Sequence, residues 1–263
     1  MILDEIVEST RQRVAQRKSE TPLAGVQEAA RRQDAPRDFA GALSGQGIAL
    51  IAEVKRASPS KGPLRPDLNA SSLARTYRES GAAAVSVLTE PAYFQGSFAD
   101  LEAARASSEL PVLCKDFIID RYQIWEARAH GADAVLLITA VLSQQELLDL
   151  QDAAHSLRMA ALVEVHNQDD LDKALDCRPG VVGINNRNLA DFSVDLGTTT
   201  SLRPLVPPGI PVVSESGIHT RDDVIALQKA GVQAILVGEA LVTAADPAAR
   251  IGELLGRSEV RNR

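Results

Sequence analysis

The chain has 263 residues, of which 45% are hydrophobic and 3% aromatic, and its formal net charge is −7. This length and composition suit one large α/β domain with an aliphatic core. The negative charge argues against nucleic-acid or anionic-membrane partners, which would require a basic face. No apolar run reaches the roughly 20 residues of a membrane-spanning helix, and the acidic N-terminus lacks the order of a signal peptide. We therefore expect a soluble cytoplasmic protein.

About 45 residues precede the first predicted strand, a longer lead than the short connections typical of compact domains. Within them Ile2, Ile6 and Val14 recur near helical spacing, which predicts a helical extension over 1–45. This helix could close the bottom of the following domain or cover its opposite end, and the pattern alone leaves both open.

Short apolar runs alternate with amphipathic segments along the rest of the chain. Gly81, Gly131, Gly180 and Gly231 each precede a new apolar run, at intervals of about 50 residues. Two strand–helix units per interval predict eight units, which close a (β/α)8 TIM barrel. The alternative, an open doubly wound sheet, would favour a glycine-rich dinucleotide fingerprint after the first strand, and none is present. The predicted strands are 48–55, 83–90, 111–117, 134–140, 160–166, 181–187, 210–216 and 234–238.

These elements predict a single catalytic barrel domain over 46–257, followed by a short tail over 258–263. Cys114 and Cys177 are too few for a disulfide framework and show no zinc-binding spacing. Cys114 should pack outward under the helices as a small apolar residue. The sequence predicts no metal and no cofactor.

Charged side chains occupy equivalent places near the ends of the odd-numbered predicted strands. Aligned, these strands put Ile51, Leu113, Leu162 and Val213 into one aliphatic layer inside the barrel. The next inward position on each of these strands is charged. Charges on a buried face are costly unless they are paired or used, so this charged layer should be the catalytic face. The alternative is that the charged side chains only cap strand ends in water. The next inward position on each strand holds Glu53, Lys115, Glu164 and Glu215, with Lys55 and Phe117 one step further out.

The sixth predicted strand ends in a polar cluster. Arg187 suits bidentate capture of a carboxylate or phosphate, and Asn185 precedes it by two residues. Asn186 and Asn188 fit a solvated turn equally well. His166, at the end of the fifth predicted strand, is a weaker candidate for a site role.

Glycines follow the seventh and eighth predicted strands, in Ser216-Gly217 and Gly238-Glu239. The corresponding loops of such barrels commonly hold phosphate, because glycine lets backbone N–H groups approach an anion. A purely conformational role is the alternative for either glycine alone. On the phosphate hypothesis, Gly238→Val should raise KM.

Together these segments resemble the indole-3-glycerol phosphate synthase family over about residues 37–255. The resemblance implies decarboxylating, dehydrating ring closure of 1-(2-carboxyphenylamino)-1-deoxyribulose 5-phosphate in tryptophan biosynthesis, without a metal or cofactor. It also favours an N-terminal helix on the catalytic side. The matching segments are Ile51-Ala-Glu53-Val-Lys55-Arg-Ala-Ser58-Pro-Ser60-Lys-Gly, Leu88-Thr-Glu90, Tyr93-Phe94-Gln-Gly96-Ser, Lys115-Asp-Phe117-Ile-Ile, Val163-Glu164-Val, Gly183-Ile-Asn185-Asn-Arg187-Asn-Leu189, Ser214-Glu215-Ser216-Gly217-Ile and Val237-Gly238-Glu239-Ala-Leu.

The resemblance also implies roles for these side chains. Lys115 would be the general acid of ring closure, and Lys55 and Glu164 would be the acid and base of dehydration. Glu53 and Glu215 would position the lysines, and Asn185 would act beside them. The implied substrate-binding residues are Ser58, Phe94, Phe117, Arg187 and Leu189, and the implied phosphate-binding residues are Ser216, Gly217, Gly238 and Glu239.

Three other functions fit parts of the pattern. A Schiff-base aldolase would use Lys115 as a nucleophilic amine on a sugar phosphate. A phosphosugar isomerase would leave the substrate carboxylate in place, and a binding or assembly barrel would catalyse nothing. For partners we expect a small-molecule substrate and a monomer or weak homo-oligomer.

Overall fold

A closed barrel of eight parallel strands forms the centre of the computed structural model, which describes residues 2–45, 47–189 and 191–257. Each strand pairs with its neighbours in the chain, and the first pairs with the last through Ala49 and Ala234. The predicted (β/α)8 barrel is therefore confirmed, and the open sheet is wrong. The barrel strands are β1 (Ala49–Val54), β2 (Ala84–Leu88), β3 (Val112–Lys115), β4 (Ala134–Ile138), β5 (Ala160–Val165), β6 (Val181–Asn185), β7 (Val212–Glu215) and β8 (Ala234–Val237), and the short segments Ala57–Ser58 and Gly62–Pro63 pair as a separate antiparallel ribbon.

Helices surround the barrel, and polar side chains cap the first turns of several of them. Asp120 accepts the backbone N–H of Tyr122 at 2.8 Å, and Thr220 accepts that of Asp223 at 3.1 Å. None of the described helices is both long and apolar enough to cross a membrane. The helices are α1 (Ile2–Glu20), α2 (Leu23–Arg31), α3 (Phe39–Ala42), α4 (Ala70–Glu79), α5 (Phe98–Ser108), α6 (Arg121–Ala129), α7 (Gln144–Ser156), α8 (Gln168–Asp176), α9 (Gly197–Leu202), α10 (Arg221–Lys229), α11 (Glu239–Val242) and α12 (Pro247–Leu255).

Two apolar cores lie on the two sides of the strands. Cys114 belongs to the outer core, between strands and helices, as its alternation with Lys115 predicts. The inner core fills the barrel below its charged layer, and side chains from alternate strands stack there. The predicted aliphatic layer is part of it and consists of Ile51, Leu113, Leu162 and Val213, all fully buried.

The N-terminal segment covers both ends of the barrel. Ile2, Leu3 and Ile6 of α1 line the cavity at the mouth, the end formed by the carboxyl ends of the strands. Phe39 and Leu43, in and just after α3, pack into the inner core from the bottom, at the amino ends of the strands. The sequence left these two placements as alternatives, and the structure combines them. The predicted tail 258–263 lies outside the described residues.

Leu43→Ala should lower the free energy of unfolding by about 3 kcal/mol, because it removes a buried side chain that seals the inner core. Leu205→Ala is the matched control, since Leu205 is 47% exposed and its truncation should cost less than about 0.5 kcal/mol. Urea unfolding of both variants measures the difference. Equal losses would show that α3 does not seal the barrel.

Candidate active site

An open cavity at the mouth of the barrel gathers the side chains that the sequence singles out. It also takes in Ile2, Leu3 and Ile6 from α1. Of the predicted site residues, Gly217 and Gly238 are the two that do not line it. The others are Glu53, Lys55, Ser58, Phe94, Lys115, Phe117, Glu164, Asn185, Arg187, Leu189, Glu215, Ser216 and Glu239.

Lys115, the last residue of β3, lies between two buried carboxylates. Its Nζ is 3.9 Å from Glu164 Oε2 at the end of β5 and 3.9 Å from Glu215 Oε2 at the end of β7. Burial alone would lower the pKa of Lys115, but Glu164, Glu215 and Glu53 outweigh burial and raise it above its usual range. Lys115 is therefore an ammonium, able to donate a proton into the cavity.

The two carboxyl groups beside Lys115 differ in how readily they ionise. Burial opposes the ionisation of Glu164, but Lys115 and His166 outweigh burial and hold the pKa of Glu164 below its usual range. Burial and the neighbouring Glu164 raise the pKa of Glu215 well above its usual range. Two carboxyl groups this close do not both ionise readily, so ionisation is favoured at Glu164 and disfavoured at Glu215.

Glu53 and Lys55 form a second charged pair beside the first. Glu53 lies on β1 and Lys55 directly follows that strand, and both line the cavity, as expected for side chains two apart on an extended chain. Lys55 Nζ lies 2.9 Å from Glu53 Oε1, and the Glu53 side chain is almost fully buried. This pairing offsets the cost of placing the carboxylate inside the barrel.

His166 approaches Glu164 at the carboxylate oxygen that does not face Lys115. Its Nε2 is 3.3 Å from Glu164 Oε1, and its Nδ1 is 3.5 Å from Asp170 Oδ2 in α8. Burial lowers the pKa of His166, but Asp170 and Glu164 outweigh it and raise that pKa to about 9. The sequence made His166 only a weak candidate, because nothing local indicates that its ring turns toward Glu164.

Two aromatic rings and the start of α1 supply apolar side chains to the cavity wall. The rings of Phe94 and Phe117 are tilted to each other, with centroids 6.1 Å apart. The aliphatic side chains of Ile2, Leu3 and Ile6 line the same cavity. This wall suits a flat apolar group, because aromatic rings prefer offset or edge-to-face contacts with one another.

The polar cluster after β6 divides into site residues and structural residues. Asn185 and Arg187 line the cavity, and Asn185 Oδ1 accepts the backbone N–H of Arg187 at 3.0 Å. Asn186 is instead buried, and its Nδ2 donates to Ser214 Oγ at 3.0 Å and to the Glu215 carbonyl at 2.9 Å. The solvated-turn alternative is therefore wrong for Asn186, which ties the end of β6 to β7.

A second cavity adjoins the mouth beside the loops after β7 and β8. Lys55, Lys61 and Arg187 all line it, together with Ser216 and Gly217. Ser216 and Gly217 are both left-handed, with φ of 66° and 79°, which is unusual for a serine. Three cations and a glycine turn make this cavity suited to an anion.

Glu239 also lines this anion cavity and forms an ion pair with Lys61. Lys61 was not among the site residues predicted from the sequence. Phe192 also lines the mouth without having been predicted. Lys61 and Phe192 both come from loops, where no strand or helix periodicity in the sequence indicates which way a side chain points.

Gly238 also has a packing role that the sequence does not indicate. A Cβ added there would lie 2.1 Å from Glu53 Oε1 and 3.2 Å from Glu53 Cβ. The absence of a side chain at Gly238 therefore leaves room for the Glu53 carboxylate. Within residues 2–45, 47–189 and 191–257, no group of three or more His, Cys, Asp or Glu side chains is placed to hold a metal ion.

Charged groups inside the mouth, next to an anion cavity at the last two loops, define an enzyme built on a (β/α)8 barrel. The sequence profile described as Indole-3-glycerol phosphate synthase matches residues 3–254. The chain belongs to the indole-3-glycerol phosphate synthase family.

Individual relatives agree with this assignment over almost the whole chain. The chain is 48% identical over 261 residues to the indole-3-glycerol phosphate synthase of Dehalococcoides mccartyi, covering 97% of this chain and 100% of that protein. It is 50% identical over 262 residues to the one from Verminephrobacter eiseniae, covering 96% and 98% respectively.

Solved structures with low sequence identity share the fold. The 3-hexulose-6-phosphate synthase from Salmonella typhimurium superposes with a TM-score of 0.65 at 14% identity, covering 80% of this chain and 98% of that one. A chain of the tryptophan synthase complex from Pyrococcus furiosus gives 0.58 at 18% identity, covering 79% and 98%. At this identity the likeness concerns the barrel alone.

Gly238→Val should lower kcat by about a hundredfold, because the added side chain displaces Glu53 and with it Lys55. Gly180→Val is the control, since a Cβ at Gly180 meets nothing within 4 Å. Steady-state kinetics and Tm of both variants check this. A raised KM with an unchanged kcat would instead support the sequence-based explanation, in which valine blocks an approaching phosphate.

Proposed function

We propose that the charged layer catalyses ring closure of 1-(2-carboxyphenylamino)-1-deoxyribulose 5-phosphate to indole-3-glycerol phosphate. Family membership makes the chain a carbon–carbon lyase of tryptophan biosynthesis. Carbon dioxide and water leave during the reaction. The assignment of individual residues to its steps is our proposal.

Ring closure begins with proton donation to the sugar carbonyl by Lys115. The protonated carbonyl carbon then accepts the aromatic carbon that bears the carboxylate, and a carbon–carbon bond forms. Loss of that carboxylate as carbon dioxide returns the electron pair to the ring and restores aromaticity. Lys115 suits the first step because nearby carboxylates keep it an ammonium inside a buried site.

Dehydration requires an acid at the departing hydroxyl and a base for the proton lost from the ring system. We assign the acid role to Lys55, whose Nζ lies 2.9 Å from Glu53 Oε1. We assign the base role to Glu164, whose pKa Lys115 and His166 hold low. Glu215 and Asn185 border these groups and would keep them oriented.

The two adjoining cavities support one orientation of the substrate. We propose that the aromatic ring lies against Phe94 and Phe117, with Leu189 beside them, while the phosphate enters the anion cavity at Ser216 and Gly217. Arg187 lines both cavities and would bind a charged substrate group between them. The Ser58 hydroxyl is buried without a hydrogen-bond partner and could bind a substrate hydroxyl.

The observation that carries this proposal is the position of Lys115 between Glu164 and Glu215. A Schiff-base aldolase needs a neutral amine as nucleophile, whereas these carboxylates favour the ammonium. A binding barrel would have no use for buried charges whose desolvation is costly. An isomerase would not release carbon dioxide, so a measurement of that product separates it from the proposed reaction.

The remaining proposals concern the organisation of the protein. We propose an N-terminal extension over 1–45 and a catalytic barrel over 46–257 in a cytoplasmic enzyme. The partner is the small phosphorylated substrate, and we propose a monomer or weak homo-oligomer. Sedimentation of the purified protein across a concentration series tests the oligomeric state.

Lys115→Ala should lower kcat by about a thousandfold, because the general acid of ring closure is lost. The fluorescence of the indole product measures turnover directly. Lys229→Ala is the control, since Lys229 is exposed on α10. Near-normal turnover by the Lys115 variant would contradict the assignment of the acid.

His166→Asn should move the acidic limb of the kcat–pH profile to higher pH by about one unit. Glu164 acts as a base in its carboxylate form, so activity is lost as pH falls through its pKa. The His166 imidazolium lowers this pKa, and its removal should therefore raise it. In this variant Lys115 still faces Glu164, and Asp170 still faces the side chain at position 166. His155→Asn is the control, because His155 is exposed near the bottom of the barrel. An acidic limb that does not move in the His166 variant would contradict the proposed effect of His166 on Glu164.

A further inference from the structure

Glu90 is a fully buried carboxylate that lies outside the charged layer. The chain just after β2 wraps around it, and its oxygens accept the backbone N–H groups of Ala92 at 3.0 Å, Tyr93 at 2.6 Å and Phe94 at 3.1 Å. These bonds fix the backbone of the segment that presents the Phe94 ring to the cavity. A carboxylate with several N–H donors is a strong organiser of a loop, because each bond to an ionised acceptor is charge-assisted.

The same carboxylate is joined to the N-terminal helix. Arg13 Nη1 in α1 lies 2.7 Å from Glu90 Oε1, and the Arg13 side chain is largely covered. Ser9 and Thr10 on the same helix accept hydrogen bonds from this guanidinium at 2.9 Å each, so its direction is fixed. The first turns of this helix supply the aliphatic part of the cavity wall, and the Glu90 segment supplies the aromatic part.

We propose that Arg13 and Glu90 are positioning residues for the aromatic ring of the substrate. The pair holds the apolar residues of α1 and the ring of Phe94 at one fixed separation, so that the ring enters a preformed slot. Without Arg13, a buried carboxylate would lose its ionic partner, and water or a proton would have to replace it. This inference rests on the proposed function, in which Phe94 contacts the substrate ring.

Two further ion pairs attach α1 to the barrel and provide an internal comparison. Arg17 lies 3.0 Å from Glu126, and Lys18 lies 2.6 Å from Asp120. Both acidic partners belong to α6 or its N-cap, and neither accepts a hydrogen bond from the Phe94 segment. Arg13 and Arg17 are covered to a similar extent, with side chains 22% and 27% exposed. The two positions therefore differ mainly in whether the partner carboxylate organises the backbone of the Phe94 segment.

The first experiment compares Arg13→Gln with Arg17→Gln in the full-length protein. For Arg13→Gln we expect KM to rise about fivefold, equivalent to about 1 kcal/mol, with kcat within about twofold of the wild type. Inhibition by inorganic phosphate should be unchanged, because the anion cavity lies at other loops. Arg17→Gln should lower Tm comparably and leave KM within about twofold of the wild type. Equal rises in KM for the two variants would mean that Arg13 only docks the helix, and would overturn the proposal.

The second experiment is a double-mutant cycle with Phe94→Ala. Phe94→Ala alone should raise KM, and Arg13→Gln should add almost nothing in that background, because the ring it positions is absent. If Arg13→Gln adds its full factor there, the positioning role is wrong while the proposed function stands. If Phe94→Ala leaves KM unchanged, the proposed ring contact itself fails.

Discussion

The packing of Lys115 between Glu164 and Glu215 is the constraint on which the rest of the site depends. Three ionisable groups at this depth are tolerable only because each offsets the cost of burying the others. The strands that carry these groups must therefore stay in register, so that the aliphatic layer lies directly below the charged layer. The same interaction sets the chemistry, since it favours an ammonium at Lys115 and a carboxylate at Glu164 and disfavours ionisation of Glu215 within one cavity.

The barrel separates stability from chemistry along its axis. Phe39 and Leu43 close the bottom and pack against the aliphatic side chains of the inner core. The mouth holds the charges, the aromatic wall and the anion cavity, and loops and α1 supply most of the side chains around them. Such a division lets loops change at the mouth while the aliphatic layers keep the strands in place.

Contacts behind the cavity extend the site beyond the residues that would touch substrate. His166 and Asp170 lie in line behind Glu164 and favour its ionised form. Glu90 organises the Phe94 segment and reaches α1 through Arg13. Groups of this kind fix the orientation of reactive side chains, and a small loss of orientation has a large effect on rate.

Local periodicity determined much of this protein from the sequence. Alternation on the strands put Glu53, Lys115, Glu164 and Glu215 on the inner face, and the regular unit length indicated a closed barrel. Only the tertiary structure decided that α1 lies at the mouth, that His166 turns to Glu164, and that Gly238 makes room for Glu53. A strand's period specifies the face of a side chain, whereas these contacts depend on how distant segments and their side chains meet across the barrel, which no local pattern encodes.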